Sequence, residues 1–576
     1  MKWALWSVGF LLVLSSWGHS KLLRRADDPE LWPSAPAALR VEEDGRSDRP
    51  MATLALAPMA PLMWCLSSLA AQYVAVCSAL GFARMARQLQ GTSDEVEPST
   101  FHRALESAEL TLHFAPMLCV LFLAAQMQAM LRSNNHQDPP LWMCNCMEVA
   151  SAALIVQTLL AVLAPTLARR AEDGEGQPQL AAPMDAFDED ALVVRNGPGW
   201  IRAASAVAMT LLMATSAAVC AGILSLRMPT ENGSGRVAPA VSYTVNLTLQ
   251  LFVVHLVLAV AANTLPKQRG RSGSKILRVL KLAADTVFFA PALCVLFIGA
   301  RVRALQVDGG QGLVQPWAAH GFGACSVALL VQTAVVVIVP LLPGGDARRG
   351  TSKVKGDVEI AFVNAEHGLA WCLSSLLRYT PCLALCASVV VVLASIFTLS
   401  SPTGQTPPLP PTIKCSICLA GQFLFVHLSI WAARAACDFT GGRRFWLILV
   451  RTLHTAAGTV QLCPMLAVLF LTLRLRAQEI TGNVGAPQGW AQDAMYMCTG
   501  AALIQLAVCF LGGVLSAFGS RAGNSSFWRW ALVGTQVVLM LTIYGGAVAV
   551  CVAFYLVTPA TAGGHGGILS LQVAYK

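Results

Sequence analysis

Charge is what this chain has least of. Of its 576 residues, 12% are Asp, Glu, Lys or Arg, about half the ~25% of ordinary globular proteins. So little charge cannot cover several soluble domains of roughly 150 residues each, the division that this length would otherwise suggest. Signatures of catalysis are missing too. There is no GxxxxGK(S/T), no HExxH, no GxSxG and no GxGxxG after a strand, which excludes the phosphate loops, zinc sites and nucleophile elbows that those patterns encode. Cys415-Ser-Ile-Cys418 and Cys144-Asn-Cys146 each lack the second half of a zinc site. The sequence therefore predicts no enzyme, no metal and no cofactor.

What is abundant is apolar surface. Hydrophobic residues make up 55% and mean hydropathy is +0.59, a balance that an integral membrane protein tolerates because lipid replaces water around it. The net charge of +9 comes from 40 Lys and Arg against 31 Asp and Glu. These basic residues sit in short segments between apolar runs, which points to the positive-inside rule and away from a nucleic-acid partner. Most of the 18 cysteines, such as Cys220, Cys294, Cys386 and Cys551, lie within apolar runs, where a free thiol acts as a small hydrophobe.

Residues 1–20 read as a secretory signal peptide, with Lys2, an apolar run and small residues before Lys21; a short extra helix is the alternative. Residues 21–60 are a loose tail without apolar periodicity. Spans of ~20 apolar residues cross a bilayer, and in lipid they must be helices. Twelve are predicted: 61–83, 107–131, 142–166, 200–226, 243–265, 281–303, 317–342, 369–399, 416–436, 450–475, 490–514 and 528–558. The fold class is all-α, a polytopic membrane protein.

The most specific signal is an internal repeat. Phe114-Ala-Pro-Met-Leu-Cys-Val-Leu-Phe122 recurs as Phe289-Ala-Pro-Ala-Leu-Cys-Val-Leu-Phe297 and as Leu462-Cys-Pro-Met-Leu-Ala-Val-Leu-Phe470. Around Pro116, Pro291 and Pro464, the same spacing places Arg103, Arg278 and Arg451 upstream. Downstream it places Trp142, Trp317 and Trp490, then Gln157, Gln332 and Gln505. Further upstream stand Gln72, Gln250 and Gln422, each five residues before Cys77, His255 or His427. The reading is three repeats of four helices, 61–226, 243–399 and 416–558, followed by a tail, 559–576. An even number of spans makes the repeats parallel, so a pseudo-threefold ring is expected.

Loops joining first to second and third to fourth helices hold most of the Lys and Arg, including Arg84, Arg87, Lys267, Arg269, Arg443, Arg444, Arg169 and Arg348. That side is predicted to be cytoplasmic. Both mature termini then lie exoplasmic, in a secretory-pathway or plasma membrane, and Asn232-Gly-Ser becomes a glycosylation acceptor.

Trp142, Trp317 and Trp490 read as interface anchors, and fifteen residues of helix place Gln157, Gln332 and Gln505 roughly 22 Å deeper. Six intramembrane amides, these three with Gln72, Gln250 and Gln422, must face protein or water. They serve either as interhelical hydrogen-bond glue or as the lining of a substrate pathway. Pro116, Pro291 and Pro464 predict kinks. Arg301, Arg303, Arg474 and Arg476 fall at helix C-termini, where the first copy has Gln126 and Gln128. There they either snorkel to the interface or form an anion-attracting vestibule. Arg378 lies deep in a span, with Asp285 able to neutralise it if the helices adjoin. The expected function is a transporter or channel for a small solute or ion; the alternative is a non-transporting scaffold or receptor-like component. The partners are the lipid bilayer and, for the alternative, a cytoplasmic protein at loops 172–190 and 346–366.

Overall fold

A computed structural model describes residues 61–90, 100–132, 139–175, 199–226, 237–264, 271–307, 314–338, 380–381, 383–398, 409–439, 444–481, 487–517 and 526–556. These segments are all-helical. In chain order the helices are α1 (Pro61–Gln90), α2 (Thr100–Leu112), α3 (Ala115–Arg132), α4 (Leu141–Glu175), α5 (Gly199–Ser225), α6 (Pro239–Thr264), α7 (Arg271–Val287) and α8 (Ala290–Val307). Then come α9 (Pro316–Ile338), a shorter apolar helix α10 (Leu383–Thr398), α11 (Pro411–Phe439), α12 (Arg444–Val460), α13 (Cys463–Thr481), α14 (Gly489–Ala517) and α15 (Ser526–Leu556).

Eleven spans among the described residues are long and apolar enough to cross a bilayer. The protein is a multi-pass integral membrane protein. The expected span 369–399 is described only from residue 380 onward, as α10 with residues 380–381. Residues 1–60, Asn232, Arg378, 557–576 and most of the loops 172–190 and 346–366 lie outside the described residues. The signal peptide, the glycosylation acceptor and the deep arginine are thus not placed.

Three spans are interrupted. The chain leaves the helix at residues 113–114, 288–289 and 461–462, and restarts with proline as the second residue of α3, α8 and α13. Proline has no amide hydrogen to donate and suits a helix start, so each break falls where the repeated motif sets it. The halves on either side differ in character. In α2, α7 and α12, apolar residues keep to one face, and the same three register positions are buried: Ala104, Ala108 and Leu112; Val279, Ala283 and Val287; Thr452, Ala456 and Val460. In α3, α8 and α13 they surround the axis, the pattern of a helix enclosed on every side. Residues 117–125, 292–298 and 465–473 are at most 2% exposed.

These three half-helices pack against one another in all three pairings and form the centre of the molecule. Around them the same neighbours recur. α1 meets α2, α3 and α4; α6 meets α7, α8 and α9; α11 meets α12, α13 and α14. α3 also touches α6, α8 touches α11 and α13 touches α1, while α15 packs on α1. Outside lie α4, α5, α6, α9, α14 and α15, which turn Val156, Val207, Val253, Leu330, Leu503 and Val538 outward, the side chains expected to meet lipid.

Candidate functional site

The contacts at the breaks follow one rule. His113 stacks on Phe288 with ring centroids 4.2 Å apart and lies 5.3 Å from His255, while Phe114 meets Phe252 and His255 of α6. Phe288 and Phe289 meet Phe423, His427 and Trp431 of α11. The third break faces α1, where the Tyr73 hydroxyl donates to the Gln461 carbonyl at 2.9 Å. Each break is therefore covered by the first helix of the following set. His255 and His427 each bond through Nδ1 to the carbonyl one turn earlier, at 2.8 Å.

A second contact also recurs. Three residues after the proline, Cys119 reaches the Leu66 carbonyl at 4.0 Å and Cys294 the Thr244 carbonyl at 3.9 Å. In the third set that position is Ala467, and its carbonyl accepts instead from Ser416 at 3.0 Å. Leu66, Thr244 and Ser416 each stand six residues before Gln72, Gln250 and Gln422. One helix pair thus keeps its register while the hydrogen bond changes direction.

The six glutamines do not meet at a common axis. α4, α9 and α14 make no extended contact with one another, and Trp142, Trp317 and Trp490 are 41–48% exposed at the ends of these outer helices. The second spans hold the centre instead, because their upper halves alone lack an outward face. The deep glutamines instead lie on the inner stripe of each outer helix. In α9 that stripe runs Ala318, Phe322, Cys325, Leu329 and Gln332.

The polar contacts stay local. Gln250 Nε2 reaches the Ser326 hydroxyl at 3.5 Å, joining α6 to α9, and Gln157 Nε2 donates to the Ser205 hydroxyl at 2.7 Å, joining α4 to α5. Gln422 Nε2 donates to Cys418 Sγ at 3.5 Å, and Gln72 Nε2 to the Ser68 hydroxyl at 3.2 Å, both along their own helices. Gln332 and Gln505 are buried. The carbonyl oxygens of Gln157, Gln250, Gln332 and Gln422 are buried and make no hydrogen bond among the described residues. An unsatisfied buried acceptor costs about 1–3 kcal/mol, so four of them at related positions call for a water or a solute.

Of the two readings given for the arginines, burial bears on the snorkelling one. Arg301, Arg303 and Arg474 are 3%, 2% and 4% exposed. They do not snorkel, because their helices are the ones enclosed by the rest of the bundle. Gln126 and Gln128, which hold these positions on α3, are buried too. Gln128 Nε2 donates to the Leu226 carbonyl just beyond α5, at 2.6 Å. Sequence offered one clue to this burial: the all-round apolar character of the preceding turns.

No group of three or more His, Cys, Asp or Glu able to hold a metal occurs among the described residues. Cys144, Cys146, Cys415 and Cys418 form no disulfide among the described residues. No protein-family model matches the chain, and no curated protein matches it either.

Proposed function

We propose that the protein is a ring of three parallel four-helix units, 61–226, 243–399 and 416–558, in a membrane of the secretory pathway or cell surface, with both mature termini exoplasmic. Support for the units comes from the recurring neighbours of α1, α6 and α11. The ring rests on the cyclic rule at the breaks, closed by α15 and Tyr73 on the first and third sets. We further read the protein as a transporter or channel for a small solute or ion, without catalytic activity. Its polar route runs inside each unit, between the first and third helices, and leaves the central triad dry. The observation that carries this reading is the set of buried, unbonded amide oxygens of Gln157, Gln250, Gln332 and Gln422. Discontinuous helices near mid-membrane, packed beside those amides, are a feature that transporters use.

The test is accessibility combined with flux. Cysteine placed at 157, 332 or 505 in the folded chain, with native thiols shown to be silent, should react with a small hydrophilic thiol reagent, and reconstituted liposomes should show solute-dependent flux. Absence of labelling at all three sites would end the pathway reading. One observation favours the second reading, a non-transporting scaffold acting through loops 172–190 and 346–366: the centre is apolar and at most 2% exposed along 117–125, 292–298 and 465–473.

A further inference from the structure

Imidazoles gather around the breaks, and the glutamine route uses none of them. His113 lies at the first break, inside the span His102–Ala129, and faces His255 of α6 with ring centroids 5.3 Å apart. On its other side it stacks on Phe288 of the second break, at 4.2 Å and 14°. Hydrogen bonding fixes which nitrogens are open. A carbonyl oxygen only accepts, so the 2.8 Å contact between His255 Nδ1 and the Leu251 carbonyl makes Nδ1 the N–H donor. In the neutral ring, Nε2 of His255 is then the basic nitrogen. A proton arriving there breaks no existing bond, and it strengthens the bond to Leu251 by placing charge on the donor. His113 Nε2 is buried and has no hydrogen-bond partner among the described residues. The face of Phe288 stacked on His113 favours a cationic ring as well.

The chemistry of the pair narrows the ligand. Two imidazoles are too few for a transition metal, and no third His, Cys, Asp or Glu completes a metal-holding group among the described residues. Two positive rings at this separation would repel, so the pair takes up one proton and not two. The other ionisable groups around the breaks have partners of their own. Glu109, one turn before His113, lies near Tyr73 of α1, which also meets Cys77 and has Cys463 of α13 nearby. Asp285 of α7 lies near Lys281 and Arg434, Arg434 bonds His454 of α12 at 2.7 Å, and His454 is near His427 of α11. The charge that His113 feels is that of His255. At the second break the two positions hold Phe288 and His427, and at the third Gln461 and Cys77. The first break alone has imidazole on both sides, which makes the site single. Access is one-sided. Past the breaks α3, α8 and α13 pack together, whereas α2, α7 and α12 make no extended contact with one another. His113, Phe288 and Gln461, each three residues before the proline, keep partial exposure.

We propose that His113 and His255 form a binding site for a single proton shared between their Nε2 atoms. Intramembrane histidines mark proton paths in pumps and transporters, so the site deepens the transport reading without depending on it. The experiment titrates the full chain, carrying isotopically labelled histidine, in detergent and follows the ring nitrogens by NMR alongside proton uptake. H113Q and H255C install the residues that stand at the same positions at the third break, so the sequence already accommodates both; H113F, the residue of the second break, serves if H113Q does not fold. Between about pH 4 and 8, where imidazole ordinarily charges, the wild type should take up one proton more than either variant. The double variant should match each single one, because neither ring holds the proton alone. Rings that stay neutral throughout that range in folded protein would overturn the proposal, as would two protons lost independently in the two single variants.

Discussion

Replacing Gln422 with Leu should make the protein more stable. Gln422 is 7% exposed, and its amide nitrogen makes only a 3.5 Å contact to the sulfur of Cys418 one turn earlier. Its carbonyl oxygen is buried without a partner among the described residues. Leu is close in volume, so little packing is lost. The amide–thiol contact contributes a few tenths of a kcal/mol, whereas removing the unsatisfied acceptor recovers about 1–3 kcal/mol. The expected net gain is about 1–2 kcal/mol. Gln157→Leu is the contrast, since it deletes the 2.7 Å bond to Ser205 and strands that hydroxyl. Interhelical bonds of this kind contribute roughly 0.6–1.7 kcal/mol, offset in part because the Gln157 oxygen is unbonded as well. The two variants should therefore move the thermal midpoint in detergent by a few degrees at most, with Gln422→Leu above the wild type and clearly above Gln157→Leu. Flux through Gln422→Leu should fall despite the higher stability, which is the trade-off expected of a polar group kept for function. Should Gln422→Leu lose as much stability as Gln157→Leu, the oxygen is bonded in the folded protein and the glutamines are interhelical glue. Higher stability with unchanged flux would remove Gln422 from the pathway.

The proposed ring closure predicts that cysteines at positions 81 and 540 cross-link with a short bifunctional thiol reagent, because a Cβ on Gly81 would run into the terminal methyl of Met540. After proteolysis in the loop near residue 355 the two fragments should migrate as one, and separate migration would open the ring. Gly546→Ala should destabilise by about 1–3 kcal/mol, since its Cβ meets Cys498 Sγ and lies 3.1 Å from the Ala494 carbonyl; an unchanged melting midpoint would mean that α14 and α15 do not approach so closely. A glycosylation tag in the 267–275 loop should stay unmodified while Asn232 is modifiable, and the reverse pattern would invert the topology.

Much of the fold was legible because membrane constraints are strong. Apolar length located the spans, and the proline register located the breaks, as the restarts at Ala115, Ala290 and Cys463 show. The inner stripe of the third helices also follows from sequence, since a buried amide must turn away from lipid. What sequence did not yield was which helices are central. A span facing lipid on one side and a span facing protein on all sides are both rich in Leu, Val and Ala, because lipid and protein interior are equally apolar. Shared depth therefore does not settle shared position, and Gln157, Gln332 and Gln505 lie on outer helices that make no extended contact with one another. The burial of the arginines was hidden for a related reason. Arg near a helix end reads as a snorkelling side chain, and only the packing of α3, α8 and α13 shows that Arg301, Arg303 and Arg474 have nowhere exposed to go.

On the proposed three-unit reading, the first unit keeps its glutamines in register with the other two but departs from them at three polar positions. It has Gln126 and Gln128 where the others have Arg, and Cys77 where they have His255 and His427. Because each break packs on the first helix of the following unit, Cys77 belongs to the interface with the third unit, and there Tyr73 supplies the polar contact, its hydroxyl bonding Gln461. The contact at the break changes from stacked imidazole and phenyl rings to a phenol-to-carbonyl bond while the backbone register is kept. A homotrimer could not do this, since one substitution would alter all three interfaces at once. On the proposed three-unit ring, fusion into one chain frees a single interface and a single third of these arginine positions to change.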